Sequence, residues 1–463
     1  MSTGARALVC ALWVSSWVMV GCKDHSVVQP DVTPPPAIQI LAASALSDSS
    51  VRLSWHSAEQ AAVYEIGISE QPLALTTDGG WDAAAKVSFR DSLEASTYVI
   101  QDLKEATKYY FAIRSQDAAG NLSGMSIIAS ATTDEKPPVF FAAWGSRGSG
   151  PGAFLSPVGI AVAGTGPFHL LVADDGNHRV QSLDPNDGSF QTQWGSFCDL
   201  STGTGCVDPD GAGPLELGDG QFGSIGGIAT DSWGDVYIGD RTNRRILKFD
   251  ATGRFLKKWD VAFTVDGVRS PATPVAIDID SDGDVYVVAG YIFVYDPEGT
   301  LLKRINAPLP DAQPMMASDH RGHLYLDSPA EDRGQVFEVS TEGGALLRRW
   351  GDLSAETCAR GQLFVPQGLG VDDLGDVFVP DGCSRIQKFA PDGTFLTQWG
   401  SLGSGPGQFD LPRDVLVSRD AIYVLEDSAP GSGRSQTRIQ LFFGSHLHPR
   451  ANLATPRRLR VRI

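Results

Sequence analysis

Helical periodicity is missing from this sequence. No long stretch repeats apolar side chains three and four residues apart, which argues against a helical fold. Positive charge is short as well. The chain has 37 Lys and Arg against 55 Asp and Glu, a net charge of −18, the opposite of what a phosphate backbone attracts, so nucleic acid is excluded as a partner. None of the six cysteines stands in Cys-x-x-Cys spacing, which argues against a structural zinc site. No Gly-x-Ser-x-Gly elbow or Cys/His pairing marks a nucleophile. What the chain does have is turn formers and aromatics: 51 Gly, 10 Trp, 10 Tyr and 21 Phe in 463 residues. That composition predicts an all-β protein of short strands joined by turns, with length for two or three domains.

The N-terminus reads as a targeting segment. Arg6 precedes the apolar run "ALVCALWVSSWVMV" (7–20), which at 14 residues is too short to span a bilayer comfortably. The "MVGC" that ends it (19–22) resembles a bacterial lipoprotein lipobox, implying cleavage after Gly21 and lipidation of Cys22. Met19 stands where leucine is usual, and a plain signal peptide is the alternative. Residues 1–21 are thus expected to be a signal peptide of the lipoprotein type, and Lys23 replaces the Asp that retains many lipoproteins in the inner membrane, so the lipidated chain is expected at the outer membrane or cell surface. Residues 22–37 form a Pro-rich tether.

Residues 38–133 contain "VRLSWHS" (51–57), "YEIGIS" (64–69) and "LKEATKYYFAIRSQDAAGNLS" (103–123), each alternating apolar and polar. The spacing of Leu103, Thr107, Tyr109, Phe111 and Ile113, followed by "DAAGNLS", resembles a fibronectin type III module. The resemblance implies a sandwich with Trp55 as a core tryptophan and Tyr109 as a structural corner tyrosine.

A longer pattern follows. "WG" or a relative recurs at Trp144, Trp194, Trp259, Ile305, Trp350 and Trp399, with spacings of 50, 65, 46, 45 and 49 residues, the size of a propeller blade. Between the marks come a "PVGIAV"-like strand, a "GDVYIGD"-like strand, an "RIQKF"-like strand and the "WG" strand. These units resemble NHL repeats, whose motif "DDGNHRVQSLD" (174–184) carries as Asn177, His178 and Val180. The resemblance spans 138–445. It weakens in the third and fourth units, where "VVAGYIFVYD" (287–296) lacks the Asp and Arg.

"FFAAWGSRGSGPGAF" (140–154) nearly repeats "FLTQWGSLGSGPGQF" (395–409). The first "WG" strand precedes any unit, and the sixth unit ends at 438–445 with only three strands. The orphan at 138–145 is therefore expected to complete the last blade and close a six-bladed β-propeller, removing exposed sheet edges. In an exported chain, four cysteines then remain for disulfides. Their connections emerge on one face, which predicts Cys198–Cys206 and Cys358–Cys383.

Several residues are candidates for chemistry. "DIDSDGD" (278–284) begins like a calcium loop with Asp278, Asp280, Asp282 and Gly283, but Ala289 stands where the bidentate Glu belongs. Asp231, Asp319 and Asp372 occupy the place of Asp280 in other units, which reads as a repeated Asx turn. Asp174 with Arg179, Asp240 with Arg245 and Asp381 with Arg385 recur in register and read as structural pairs. His320 and His323 share one turn, His169 starts a strand, and His178 is a repeat residue. No inner strand carries histidine, unlike the zinc-holding peptidylglycine lyase that this fold resembles. Asp278 and Asp414 replace small inner-strand residues, with Arg413 beside the latter. These three form the expected polar channel or mouth, against the plainer reading of hydrogen-bonded core carboxylates. The tail 446–463 has five Arg and no acid.

The expected function is a monomeric, lipid-anchored, non-catalytic scaffold that presents a propeller face to a protein or glycan, without cofactor. The alternative is a secreted hydrolase or lyase working in the channel with calcium, and a spacer in an envelope assembly is a third reading.

Overall fold

The computed structural model describes residues 32–39, 41–56, 63–74, 85–90, 97–164, 166–211, 213, 215–265, 267–307, 314–328, 334–351, 358–418, 421–428 and 436–444. The targeting segment with Cys22 and the basic tail 446–463 lie outside them. No described residue is in an α-helix, and none of the described helices is long and apolar enough to cross a membrane.

The chain divides into two compact units. Residues 41–132 supply a three-stranded sheet (Leu41–Ala45, Val51–Trp55, Thr97–Ile100) and a four-stranded sheet ordered Ala85–Arg90, Val63–Ser69, Lys108–Gln116, Ala129–Thr132. Alternation explains the burial: Tyr109, Phe111 and Ile113 point inward from one strand. Trp55 meets Tyr64 edge-on at 5.3 Å between centroids, a favoured aromatic geometry.

From residue 139 onward the chain builds six four-stranded antiparallel sheets, a β-propeller. The first comprises Pro157–Ala163, His169–Asp174, Arg179–Leu183 and Phe190–Trp194. The second runs through Ile225–Thr230, Val236–Asp240, Arg245–Phe249 and Phe255–Asp260. The third holds Ala276–Ile279, Val285–Val288, Ile292–Tyr295 and Leu301–Ile305, and the fourth Met316–Ser318, His323–Ser328, Gln335–Ser340 and Leu346–Trp350. The fifth holds Gly370–Val371, Val377–Asp381, Arg385–Phe389 and Phe395–Trp399. The sixth takes Pro412–Ser418, Ala421–Asp427 and Thr437–Phe443 from its own segment, and its fourth strand is Val139–Trp144. The first strand of each sheet contacts the first strand of the next, and that of the sixth contacts that of the first. The sheets therefore form a closed ring.

Register defines what the repeated tryptophan does. Trp194, Trp259, Trp350 and Trp399 pair across from Val180, Ile246, Val336 and Ile386, and the degenerate Ile305 pairs across from Ile292. Trp144 pairs with Ile439 in the closing strand, the same place. Trp144, Trp194, Trp259, Ile305 and Trp350 each sit over the third turn of the following sheet, whereas the sixth sheet has no such turn and Trp399 meets Phe442 there, at 6.0 Å between centroids. At Gly188 a Cβ would lie 2.0 Å from the Trp144 ring, so only glycine admits this contact between the sixth and first sheets. The duplicated "WGSxGSGPGxF" has its own reason. Gly145 and Gly400 both have left-handed backbones, and a Cβ on either would lie 2.6 Å from the ring of Phe154 or Phe409. The motif thus folds its phenylalanine back over its own glycine, sealing the connection into the core.

Deleting Val139–Trp144 should bare the edge of Thr437–Phe443 and empty the socket over Gly188. The expected thermal midpoint falls by at least ~10 °C with loss of soluble protein; a midpoint within ~2 °C of the parent would show that the ring does not depend on this strand.

Candidate functional site

Polar side chains of the repeats are engaged in bracing. Asp174 Oδ2 accepts from Arg179 Nε at 2.8 Å, Asp240 from Arg245 at 3.0 Å and Asp381 from Arg385 at 3.1 Å, all buried. Glu426 and Arg438 repeat the pair in the sixth sheet. Each arginine also donates to carbonyls of the connection entering its sheet, such as Gly218 and Gln221 for Arg245. His178 has a left-handed backbone (φ 52°) at the motif turn, matched by Arg244 and Ser384. These residues hold strands to loops.

The calcium-like segment is also committed. Asp280 Oδ1 accepts the N–H groups of Asp282 and Asp284, both at 3.0 Å, and Oδ2 accepts the Tyr286 hydroxyl at 3.1 Å. Asp231 makes the same three bonds with Trp233, Asp235 and Tyr237. These are Asx turns tied to a buried tyrosine. Among the described residues no group of three His, Cys, Asp or Glu is placed to hold a metal ion.

Asp278 and Asp414 sit on inner strands and reach across to the next sheet. Asp278 Oδ2 accepts the Ser318 N–H at 2.5 Å, and Asp414 Oδ2 accepts the Ile160 N–H at 3.0 Å. An inner strand is an edge whose backbone donors lack a ladder partner, and these carboxylates satisfy two of them. Both lie deep in the ring yet keep part of their surface accessible. Burial pushes Asp278 up to about 6, opposed by the attraction of His320 and by the N–H groups of Ile279 and Ser318. Burial likewise pushes Asp414 up to about 7, against the N–H groups of Ile160 and Val415, with the like charge of Asp278 adding to the rise. Arg413 goes elsewhere: its guanidinium donates to Gln367 Oε1 at 3.0 Å, and it forms no ion pair among the described residues. Of the three expected channel residues, the two acids sense each other and the arginine stands apart.

The sequence reading passed over a third acid. Asp327, fully buried, accepts the N–H groups of Met315 (2.7 Å) and Gly368 (3.0 Å), linking the fourth and fifth sheets. Burial drives it well above the ordinary carboxylate range, and Asp414 adds repulsion. In register it pairs with Val336, where Ala173, Gly239 and Pro380 face the matching residues of other sheets. An acid at a position otherwise small or apolar is a signal that aligning the repeats would give. His320, placed by the sequence in a turn with His323, was not linked to Asp278, whose charge it attracts. The turn that carries it lies beside Asp278 because Ser318 bonds there.

On the face where connections enter the sheets, Cys198 is bonded to Cys206 and Cys358 to Cys383. The 196–223 connection exposes Phe197, Leu200, Val207 and Leu217. Its base is tied down: Gln221 Nε2 donates to Ser196 Oγ and the Gly205 carbonyl, and Asn243 Nδ2 to the Cys198 carbonyl.

No family model matches the chain. Peptidyl-glycine alpha-amidating monooxygenase B of Xenopus laevis is 37% identical over 115 residues, 23% of this chain and 13% of that protein. NHL repeat-containing protein 3 of Homo sapiens is 28% identical over 218 residues, 43% of this chain and 60% of that protein. The chain thus spans less than two thirds of either relative. Among solved structures, virginiamycin B lyase of Staphylococcus aureus superposes with a TM-score of 0.40 at 12% identity, covering 62% of this chain and 94% of that one.

The raised carboxyls give a signed pH dependence. Because Asp278 and Asp414 bind protons more tightly when folded, their contribution is fully present below about pH 4 and is lost as pH rises through about 6 and 7. Asp278→Asn/Asp414→Asn keeps an oxygen for each N–H but removes the charge. Between pH 5 and 8 the parent should lose ~1–2 kcal/mol more stability in urea titrations than the double variant, after allowing for screening by channel water. Parallel profiles would show that these acids carry no folded-state proton linkage.

Proposed function

We propose that this chain is an exported, monomeric binding scaffold, anchored through lipid on Cys22, in which a fibronectin type III module precedes a six-bladed NHL-type propeller. Its ligand is a protein or glycan of the cell envelope or its surroundings. The supporting observation is the 196–223 connection: it holds the Cys198–Cys206 disulfide and is pinned at its base, yet exposes each of Phe197, Leu200, Val207 and Leu217. A rigid loop that holds apolar side chains in water suits recognition, since little order is lost on binding. Export is supported by the apolar N-terminal run and by the two disulfides. The fibronectin reading is supported by the three-plus-four strand arrangement and by the Trp55–Tyr64 core. The NHL reading is supported by the recurrent Asp–Arg braces and by the partial match to NHL repeat-containing protein 3.

A second reading has its own observation. Asp278 and Asp414 are accessible acids raised to about 6 and 7, near the range where general acid–base groups work, which favours a hydrolase or lyase in the channel.

Two measurements separate the readings. Immobilised mature protein and its Leu200→Asp/Val207→Asp variant are exposed to envelope protein and glycan fractions. The scaffold reading expects ligands that the parent retains and the variant loses at least about tenfold, with unchanged melting; equal retention overturns the role of the loop. A calcium series after EDTA treatment expects no shift in midpoint for the scaffold, whereas a saturable rise of several degrees favours the enzyme.

A further inference from the structure

The Asx-turn acids are compensated differently from sheet to sheet. In the second sheet Lys248 pairs across from Tyr237, with its Nζ 2.9 Å from Asp235 and 3.8 Å from Asp231. In the fifth, Lys388 pairs across from Phe378, with its Nζ 2.7 Å from Asp376 and 4.0 Å from Asp372. The same register position of the fourth sheet, across from Tyr325, is Glu338. An acid has replaced the cation beside Asp319, and both acids are buried.

The group between them is a histidine. His323 Nδ1 lies 2.7 Å from Asp319 Oδ2 and 3.9 Å from Glu338 Oε1. Two other cations approach. Arg348, on the outer strand, is 3.5 Å from Glu338 Oε2, but it is half exposed and also donates to the Pro391 carbonyl. Arg321, in the turn, donates to the carbonyls of Asp373 and Leu374. Burial raises the Glu338 carboxyl, which His323 and Arg348 counteract and Asp319 reinforces. The buried Tyr325 hydroxyl has no hydrogen-bond partner among the described residues, whereas its counterparts Tyr237 and Tyr286 bond to the Asx-turn acid. In the fourth sheet that acid's second oxygen is taken by His323.

We propose that His323 is a pH-sensitive latch on the fourth sheet. When protonated it supplies the positive charge that lysine supplies in the second and fifth sheets; on deprotonation, the two buried acids lose it and the turn from Ser318 to His323 loosens. The same turn carries the Ser318 N–H that bonds Asp278, so the latch acts on the junction between the third and fourth inner strands. Lysine keeps its charge throughout the neutral range, and histidine does not. The sheet is therefore tightest in acid and loosest above neutral pH.

The test compares the full mature chain with Glu338→Lys, which copies the sibling sheets, and with His323→Asn. Thermal midpoints are recorded from pH 5 to 8.5. The expected result is a parent midpoint that falls with pH by at least ~2 °C more than that of either variant, with Glu338→Lys ahead of the parent chiefly at pH 8. Asp278 and Asp414 are present in all three proteins, so their contribution cancels. Parallel midpoint curves overturn the latch. Should either variant fail to fold, the imidazole resonance of His323 is followed by NMR in the parent and in Glu338→Gln. A titration midpoint that drops by about half a unit or more in the variant sustains the proposal, and an unmoved midpoint sinks it.

Discussion

The antiparallel pairing of Val139–Trp144 with Thr437–Phe443 is the constraint on which the propeller depends. Among the described residues the main contacts of each sheet are with its two neighbours, so stability is distributed as a chain of interfaces. An open chain of six sheets would leave one flank of the first and one flank of the sixth in water. The closing strand prevents this twice over. It completes the ladder of the sixth sheet, and its Trp144 occupies the socket over Gly188 in the first. Because strand and partner are separated by the whole ring in sequence, their pairing brings together two ends that the intervening sheets must position. Closure is therefore cooperative with everything between.

Closing a ring of sheets creates a second problem at the centre. The inner strands present backbone donors that have no ladder partner on that side. Asp278, Asp414 and Asp327 each reach into the following sheet to accept such donors. A carboxylate does this well because it has several acceptor sites. The cost is a charge held deep in protein, which raises the affinity of these groups for protons. The same atoms thus brace the ring and leave titratable acids near its centre, and the hydrolase or lyase reading starts from two of them, Asp278 and Asp414.

Much of this was legible in the sequence because the repeats are in register. The "WG" spacing located every outer strand, including the one where isoleucine replaces tryptophan, since Ile305 occupies the tryptophan register. The duplicated fifteen-residue stretch pointed to the borrowed strand because both copies solve the same packing problem, a phenylalanine folded over a left-handed glycine. The Asx turns and Asp–Arg braces were readable for the same reason. Contacts between sheets were not. That Arg413 turns to Gln367, that His320 lies near Asp278, and that Asp327 spans to Gly368 depend on how sheets far apart in sequence meet. One-dimensional periodicity carries no information on that.

The departures from the repeat are concentrated, and this gives them weight. The third and fourth sheets lack the Asp–Arg brace: Ala289 and Tyr291 stand in its place in the third, and Ser328 pairs with Gln335 in the fourth. The same two sheets carry Asp278, His320, His323 and Glu338. A brace that ties a strand end to its incoming loop makes that corner rigid; its loss leaves the corner held by other contacts. In the third sheet those contacts are apolar, and in the fourth they are acids whose partners are backbone donors and one histidine. Apolar contacts do not respond to pH and lysine scarcely does near neutrality, so most of the ring holds one arrangement. A response to proton concentration can therefore enter where titratable groups hold the ring: at His323 between Asp319 and Glu338 in the fourth sheet, at Asp278 between the third and fourth, and at Asp414 between the sixth and first.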